Sequence, residues 1–286
     1  MTQVSKSVFQ AIDDAYYELT AAERKAADYV LKNRERTQFL SISELAEESG
    51  VAEATISRFC RRLGYKGYNA FKLAIANAAA LSAGGAVGIS PAGKQGGVLD
   101  LAARLCAADS EALQQTLTLL RPEAVERAVE ILRKARRVLC MGQGGSMILA
   151  SEAAHLFSVC DGKYFAVSDS HQQVISCATL GPEDAVLFFS YSGSTRDMIE
   201  TLGVARAQGA RIVLISRFPR SPGAALADVL LQCGSNETPL QPGSVPARIA
   251  QLFLLDVLYN CLCLEDPETS AANRQRIAVA LADKHL

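Results

Sequence analysis

Five short apolar segments recur in the second half of the chain, and segments with a helical pattern separate most of them. The apolar segments span 137–141, 164–167, 185–190, 211–216 and 229–233. Strands that alternate with helices form parallel sheets with helices on both faces. The pattern therefore predicts a doubly wound α/β domain. Ligands bind such sheets beyond the carboxyl ends of the strands, so we expect functional loops at Gly142, Ser190 and Arg217.

A glycine-rich segment divides the chain in two. Residues 82–97 contain six Gly and one Pro, which is typical of a flexible linker. An Ala-rich segment with helical patterns precedes it. We therefore predict an all-α domain over 1–81, a linker over 82–97 and the α/β domain over 98–286, where flanking helices are predicted at 98–120 and 122–135. Hydrophobic residues make up 49% of the chain, enough for two cores.

The all-α segment contains the pattern of a helix-turn-helix. Ser41 and Glu44 have the spacing of a capping box, which predicts that a helix begins there and runs to Glu48. A turn at Ser49-Gly50 follows, and a second helix is predicted over 53–63. Its apolar residues share one face. The polar residues expected on the remaining surface are Thr55, Ser57, Arg58, Arg61 and Arg62.

Local charge around this second helix indicates a nucleic-acid partner, although the net charge of the chain is only −1. Residues 54–99 contain no Asp or Glu, and their cations are Arg58, Arg61, Arg62, Lys66, Lys72 and Lys94. Such a surface attracts DNA phosphates. We expect Thr55, Ser57 and Arg58 to reach base edges, and Arg61, Lys66 and Lys72 to contact phosphates, with Arg62 on the same surface. The alternative is a solvated basic face on an ordinary helical bundle.

Two loops of the α/β domain have the composition of an anion site. Gly142-Gln143-Gly144-Gly145-Ser146 follows the first strand and precedes a helix. It is neither a dinucleotide fingerprint, because Met147 stands where that motif has its last Gly, nor a Walker loop, because no Lys-Ser or Lys-Thr follows. The loop after the third strand supplies four hydroxyls and a glycine from Ser190, Ser192, Gly193, Ser194 and Thr195. Such hydroxyls could hold a phosphate or merely cap the next helix.

Other features point to an intracellular protein without a metal or cofactor. The eight Cys show no CxxC spacing, so we interpret them as free, mostly buried thiols in a reducing compartment. The beginning of the chain shows no secretion signal. Polar residues interrupt the apolar stretch 249–264, which predicts a buried helix and not a membrane span. We expect a cytoplasmic protein.

The N-terminal motifs resemble the DNA-binding domain of RpiR-type bacterial transcriptional regulators. The resemblance covers most of residues 1–77 and rests on segments 19–20, 23–25, 28–30, 41–46, 50–51, 54–56, 58–60 and 63–68. The Ser or Thr that usually caps the recognition helix is Ala52 here, which removes a capping hydrogen bond worth about 1 kcal/mol.

From about residue 125 to 264 the chain resembles the sugar isomerase (SIS) domain that completes RpiR-type regulators. The motifs are 142–146, Asp169-Ser170-His171, the loop 190–195, Ser221-Pro222-Gly223 and Asn236-Glu237-Thr238. The resemblance implies that a phosphorylated sugar binds here. By this resemblance Ser146, Ser190, Ser192 and Thr195 would hold the phosphate, and His171 and Glu237 would approach the sugar. We also expect Gly144 and Ser194 of the same two loops among the ligand-binding residues. The roles of Glu152 and Arg248 stay open.

These features together predict a transcriptional regulator of carbohydrate metabolism. Its partners would be a double-stranded DNA operator, a sugar-phosphate effector and further copies of itself in a dimer or tetramer. One alternative is a sugar-phosphate isomerase or lyase that uses Glu152, His171 or Glu237 as a base. Gly145 disfavours it, because isomerases that resemble this domain often carry Lys there. Another alternative, a sugar-sensing scaffold that does not bind DNA, leaves the basic stretch unexplained.

Overall fold

The computed structural model describes residues 7–82, 97–235, 237 and 244–282. The chain forms two compact units. One comprises Met1–Cys106 with Asn236–Ser244, and the other comprises Ala107–Ser235 with Val245–Leu286. The predicted linker at 82–97, apart from its two end residues, lies outside the described residues, as does Lys94.

The first unit is helical up to the predicted linker. Its elements are α1 (Val8–Ala15), a 3-10 turn (Tyr16–Glu18), α2 (Ala21–Lys32), α3 (Arg34–Thr37), α4 (Ile42–Glu48), α5 (Glu53–Arg62) and α6 (Tyr68–Ser82). Apolar side chains from all the longer helices form one core, in which Ile12, Val30, Leu45, Phe59 and Phe71 are fully buried. The edge-to-face contact of Phe59 with Phe71 joins α5 to α6. The all-α prediction is confirmed.

The long helix α7 (Val98–Leu119) leads into the α/β part. The remaining elements are α8 (Pro122–Lys134), β1 (Arg137–Gly142), α9 (Ser146–Phe157), β2 (Tyr164–Val167), α10 (Ser170–Cys177), β3 (Asp184–Phe189), α11 (Arg196–Ala207), β4 (Arg211–Ser216), α12 (Pro222–Leu226), β5 (Val229–Gln232), α13 (Val245–Glu265) and α14 (Pro267–Leu281). The five strands are parallel and lie in the order β2-β1-β3-β4-β5. The predicted doubly wound fold is confirmed, and each predicted strand agrees with an observed one to within one residue at either end.

Successive residues of the central strands enter two different cores. Val138, Cys140 and Leu187 pack on one face of the sheet against α8, α9 and α13. Leu139 and Val186 pack on the other face against α10 and α11. Burial on both faces explains why these strands are continuously apolar and not alternating.

Helix α13 is long and apolar enough to cross a membrane, judged by length and composition alone. Seven of its residues are buried in the α/β unit, among them Leu254, Leu255 and Leu258. This burial agrees with the buried helix predicted for 249–264.

Candidate functional site

Helices α4 and α5 form the predicted helix-turn-helix. The Ser41 hydroxyl accepts the N–H of Glu44 at 3.2 Å, and the Glu44 carboxylate accepts the N–H of Ser41 at 2.8 Å, so the predicted capping box is present. Gly50 has a φ of 65°, which a glycine adopts without strain in the turn between the helices. Helix α5 begins after Ala52 without a side-chain cap, as the sequence indicates. A hydrogen bond from Ser43 to Glu53 connects the two helices instead.

The arginines of α5 differ in what they contact. Arg58 and Arg61 are exposed, and neither forms an ion pair within the described part of the chain. Arg62 donates to the carbonyl of Glu18 at 3.0 Å and forms an ion pair with Glu23 at 3.4 Å. Arg62 therefore braces α5 against the start of α2.

The start of α2 carries a second capping box that the sequence analysis missed. The Thr20 hydroxyl accepts the N–H of Glu23 at 3.3 Å, while the Glu23 carboxylate accepts the N–H of Thr20 at 2.9 Å. The signal was present in the sequence, since Thr20 and Glu23 have the same spacing as Ser41 and Glu44. Burial disfavours the charge of Glu23, but its hydrogen bonds to Thr20 and the charge of Arg62 outweigh burial and lower its pKa.

The other predicted DNA contacts occupy different environments. Lys66 is exposed and Ser57 is half-buried. Thr55 is only 7% exposed, which corrects the expectation that it lies on the surface. It lies four residues before Phe59, on the arc of α5 that faces the core. Lys72 is half-buried, and burial lowers the pKa of its ammonium to about 8.

The sheet brings the two predicted anion loops together. Strand β1 pairs with β3 in a register that places Gly142 beside Phe189, the last residues of the two strands. The loops that follow thus begin about 5 Å apart, the spacing of neighbouring strands. Strand β1 also pairs with β2 on its other side, so the chain reverses direction across the sheet at this point. Such switch points are where doubly wound sheets bind ligands.

The loop after β3 leaves several polar groups available. Ser190 is buried, and its hydroxyl accepts the N–H of Gly193 at 3.2 Å, which shapes the loop. The exposed Ser192 accepts the N–H of Ser194 at 3.3 Å. Thr195 is exposed at the N-cap of α11, and its hydroxyl makes no capping hydrogen bond. The loop therefore offers hydroxyls and a helix N-terminus to a ligand.

Two glycines in these loops have no space for a side chain. A Cβ at Gly193 would lie 2.1 Å from the hydroxyl oxygen of Ser221, and the φ of Gly193 is +60°. A Cβ at Gly142 would lie 2.6 Å from the carbonyl oxygen of Ser146. Gly144 has a φ of +55° but open space around it. The backbone must pass close to neighbouring atoms for both loops to form.

The first loop is held by a residue that the sequence analysis did not identify. The buried side-chain amide of Gln173, in α10, donates to the carbonyls of Gly142 at 2.9 Å and Val167 at 2.8 Å. It thereby connects the ends of β1 and β2. No sequence signal marks this role, because a glutamine within a helix has no distinguishing spacing. Ser146 is half-buried as the first residue of α9.

The sugar-side candidates are spread over several elements. His171 is exposed in the first turn of α10, where Asp169 caps the helix by accepting the N–H of Gln172 at 2.8 Å. Glu237 is half-buried and accepts the N–H of Ser244 at 2.7 Å, while its neighbours 236 and 238 lie outside the described residues. Glu152 is exposed in α9, and Arg248 is half-buried in the first turn of α13.

Arg217 lies beside the loop after β3 and was not among the predicted site residues. Its backbone N–H donates to the carbonyl of Tyr191 at 3.0 Å, and its guanidinium donates to the carbonyl of Ser235 at 3.2 Å. Arg217 begins one of the three loops predicted to be functional. The role of its side chain could not be predicted from the sequence, because it depends on the position of β4 next to β3.

Comparisons with known proteins match both halves of the chain. Residues 6–82 match the helix-turn-helix domain of the rpiR family, and residues 131–261 match the SIS domain. An uncharacterized HTH-type transcriptional regulator of Haemophilus influenzae is 30% identical over 99% of each chain. The HTH-type transcriptional regulator HexR of Pseudomonas aeruginosa is 30% identical over 88% of each.

Solved structures agree with this division. The NanR protein of Vibrio vulnificus, complexed with ManNAc-6P, is 28% identical, covers 97% of this chain and 99% of its own, and superposes with a TM-score of 0.84. A sugar-phosphate isomerase fold from Listeria monocytogenes, 18% identical, covers 64% of this chain with a TM-score of 0.56 and shares the fold alone. Relatives that match along most of the chain, including those from Haemophilus influenzae and Pseudomonas aeruginosa, are named as transcriptional regulators, so the chain acts as a regulator and not as an enzyme. It belongs to the RpiR family of helix-turn-helix transcriptional regulators that carry a SIS domain.

Proposed function

We propose that this regulator binds a phosphorylated sugar at the switch point of its sheet and that the bound sugar changes its affinity for an operator. The observation that carries the proposal is the register of β1 with β3, which sets two glycine-containing loops and the N-termini of α9 and α11 side by side. Both helix N-termini direct partial positive charge toward this edge of the sheet. At α9 the N–H groups of Ser146 and Met147 already donate to the carbonyls of Gln143 and Gly144, so α11 is the N-terminus that offers its N–H groups to a ligand.

The phosphate would be held mainly by neutral groups. The available donors are the exposed hydroxyls of Ser192 and Thr195 and the backbone N–H groups of Gly144 and Gly145. The Ser194 hydroxyl donates to the carbonyl of Ser192 at 3.1 Å and would have to turn to reach the phosphate. Ser190 is buried and contributes by shaping the loop, since its hydroxyl accepts the N–H of Gly193. The NanR complex with ManNAc-6P supports a sugar phosphate as the ligand class.

The sugar itself would extend away from the phosphate. His171 follows β2 on the same edge of the sheet and is exposed, so it is available to a sugar hydroxyl. Glu237 is the other candidate carried over from the SIS resemblance. We propose no catalytic role for either residue.

The DNA contacts would come from α5 and the turn after it. Arg58 and Arg61 are exposed and without ion pairs in the described chain, so their charges are available to phosphates or guanine edges. Lys66 supplies a further phosphate contact, and Ser57 lies close to the same surface. Arg62 and Lys72 contribute less, since Arg62 is engaged by Glu23 and Lys72 is half-buried. Thr55 is buried, so we assign it to core packing and not to a DNA contact.

We further propose that the regulator works in the cytoplasm as a homo-oligomer, a dimer or a tetramer, on a two-fold symmetric operator. Sugar phosphate and operator must then change each other's affinity by the same factor.

Thermal unfolding with a panel of sugar phosphates tests the ligand site. At least one member should raise the Tm, because a ligand that binds only the folded state stabilises it. The double variant Ser192→Ala with Thr195→Ala should abolish this rise. The control Ser110→Ala, at an exposed position of α7, should retain it.

Operator binding is then measured with and without the stabilising sugar phosphate. A panel without any Tm rise, or an operator affinity that the stabilising sugar leaves unchanged, would contradict the proposal. So would turnover of a sugar phosphate at ordinary enzymatic rates.

A further inference from the structure

Two half-buried thiols lie in contact on the α/β unit, although they are 103 residues apart in the chain. Cys160 lies in the turn after α9, and Cys263 lies in the last turn of α13. Their sulfur atoms are 3.6 Å apart. A disulfide requires about 2.05 Å, so closure needs an approach of about 1.5 Å.

The two sulfurs have different surroundings. Arg274, on α14, donates from Nη1 to the sulfur of Cys263 at 3.8 Å. Burial and the hydrogen bond to Cys263 raise the pKa of Cys160 to about 12. Cys160 therefore holds its proton, and the sulfur that it faces has a cationic neighbour. Cationic neighbours and partial exposure mark reactive cysteines.

The other cysteines lack this combination. Cys60, Cys140, Cys177 and Cys233 are buried and shielded from oxidants. Cys106 is exposed on α7, and within the described chain its sulfur forms no hydrogen bond to a second sulfur. Cys261 is half-buried, two residues before Cys263, and residues at that spacing do not share a helix face. Cys160 and Cys263 are thus the pair set up to react with each other.

We propose that Cys160 and Cys263 form a redox-active pair that a peroxide converts into an intramolecular disulfide. The sulfur of Cys263 attacks one peroxide oxygen, the O–O bond breaks, and a sulfenic acid and one water form. The sulfur of Cys160 then attacks the sulfur of Cys263, the S–O bond breaks, and the hydroxyl leaves as a second water with the proton of Cys160. Two thiols lose two electrons, and the peroxide gains them.

The crosslink would alter the attachment of the C-terminal helix. Asn273 of α14 donates to the carbonyl of Cys160 at 3.1 Å, and Arg274 contacts Cys263. Both cysteines therefore lie where α14 packs against the rest of the α/β unit. A covalent bond also constrains the unfolded chain over the intervening loop. We expect the oxidised protein to show a Tm higher by roughly 5 °C, reversed by dithiothreitol.

The experiment treats the full-length protein with hydrogen peroxide, alkylates the remaining thiols and maps the peptides by mass spectrometry. The expected result is a peptide pair joined through Cys160 and Cys263, lighter by two hydrogen atoms and absent after reduction. The variant Cys106→Ser, which removes the exposed but solitary thiol, should form the same crosslink. Arg274→Gln should slow its formation several-fold.

Three outcomes would overturn the inference. Cys160 and Cys263 could both remain alkylatable while Cys106 is oxidised, Cys160 could join Cys261 instead, or the crosslink could connect two chains. The peptide mapping uses the unmodified sequence. The test therefore does not require the variants Cys160→Ser or Cys263→Ser, either of which could fail to fold. None of these outcomes depends on whether the sugar-phosphate site is correct.

Discussion

Helix α5, which we propose faces DNA, and the loops that we propose bind a sugar phosphate are built in opposite ways. On α5, the groups proposed to act are long, exposed side chains such as Arg58 and Arg61, and the backbone only displays them. In the loops, the backbone itself forms the site, and Gly142 and Gly193 have no space even for a methyl group. A surface of the first kind depends on charge, whereas a site of the second kind depends on the fit of its backbone.

The difference teaches where each function is vulnerable. Removing charge from α5 should weaken binding without unfolding the domain, because exposed side chains contribute little to stability. Adding one carbon to the loops should damage both ligand binding and folding, because it would overlap the side chain of Ser221 at Gly193 or the backbone of Ser146 at Gly142.

Gly193→Ala should have the largest effect. Its Cβ would overlap Ser221, and its φ of +60° strains any residue with a side chain. We expect a loss of about 2–4 kcal/mol in the free energy of unfolding and no detectable stabilisation by sugar phosphates. Urea unfolding and thermal shift measure both. Gly144→Ala, with a similar φ but open space, is the control and should cost about 1 kcal/mol. Equal losses in both variants would refute the role of crowding.

The double variant Arg58→Ala with Arg61→Ala comes second. Operator affinity should fall by about 10- to 100-fold, and the slope of log affinity against log salt should become shallower by about 2. Fluorescence anisotropy over a salt series measures both, and the Tm should stay unchanged. Arg127→Ala, which removes an exposed arginine from α8, is the matched control. Unchanged operator affinity would show that α5 is not the DNA-facing helix.

Glu23→Gln should have the smallest effect. It tests the ion pair of Glu23 with Arg62, which holds α5 against the start of α2. Because the pKa of Glu23 is lowered in the folded state, its charge stabilises the fold above the unfolded-state value of about 4.3. This stabilisation disappears as the pH falls through the lower folded-state value.

Glu23→Gln should therefore cost about 1 kcal/mol at pH 7 and progressively less in acid. Urea unfolding across pH measures this. Glu35→Gln, at an exposed position of α3, should change little. A cost that stays constant from pH 7 to pH 3 would exclude the charge as its source.

Local patterns in the sequence predicted much of this protein. The capping box of Ser41 with Glu44, the turn at Gly50 and the five strands were all visible, because hydrogen-bonding residues and apolar runs act over a few neighbouring positions. The same patterns indicated the loops at Gly142 and Ser190 before any strand order was known.

Contacts between distant residues could not be predicted in this way. Three such contacts are the ion pair of Arg62 with Glu23, the burial of Thr55 and the hydrogen bond from Gln173 to Gly142. Each depends on which elements pack against each other. The contact of Cys160 with Cys263 is of the same kind.

The sequence by itself determined the five strands, the helix-turn-helix, the division into a helical and an α/β part, and the family, since each follows from short-range patterning and motif residues. Only the tertiary structure decided that β1 lies between β2 and β3, so that the two anion loops meet. It also decided which cations of α5 remain available and which one braces the domain. The physical reason is that hydrogen-bond register and side-chain packing are long-range properties, satisfied only when the whole chain has folded.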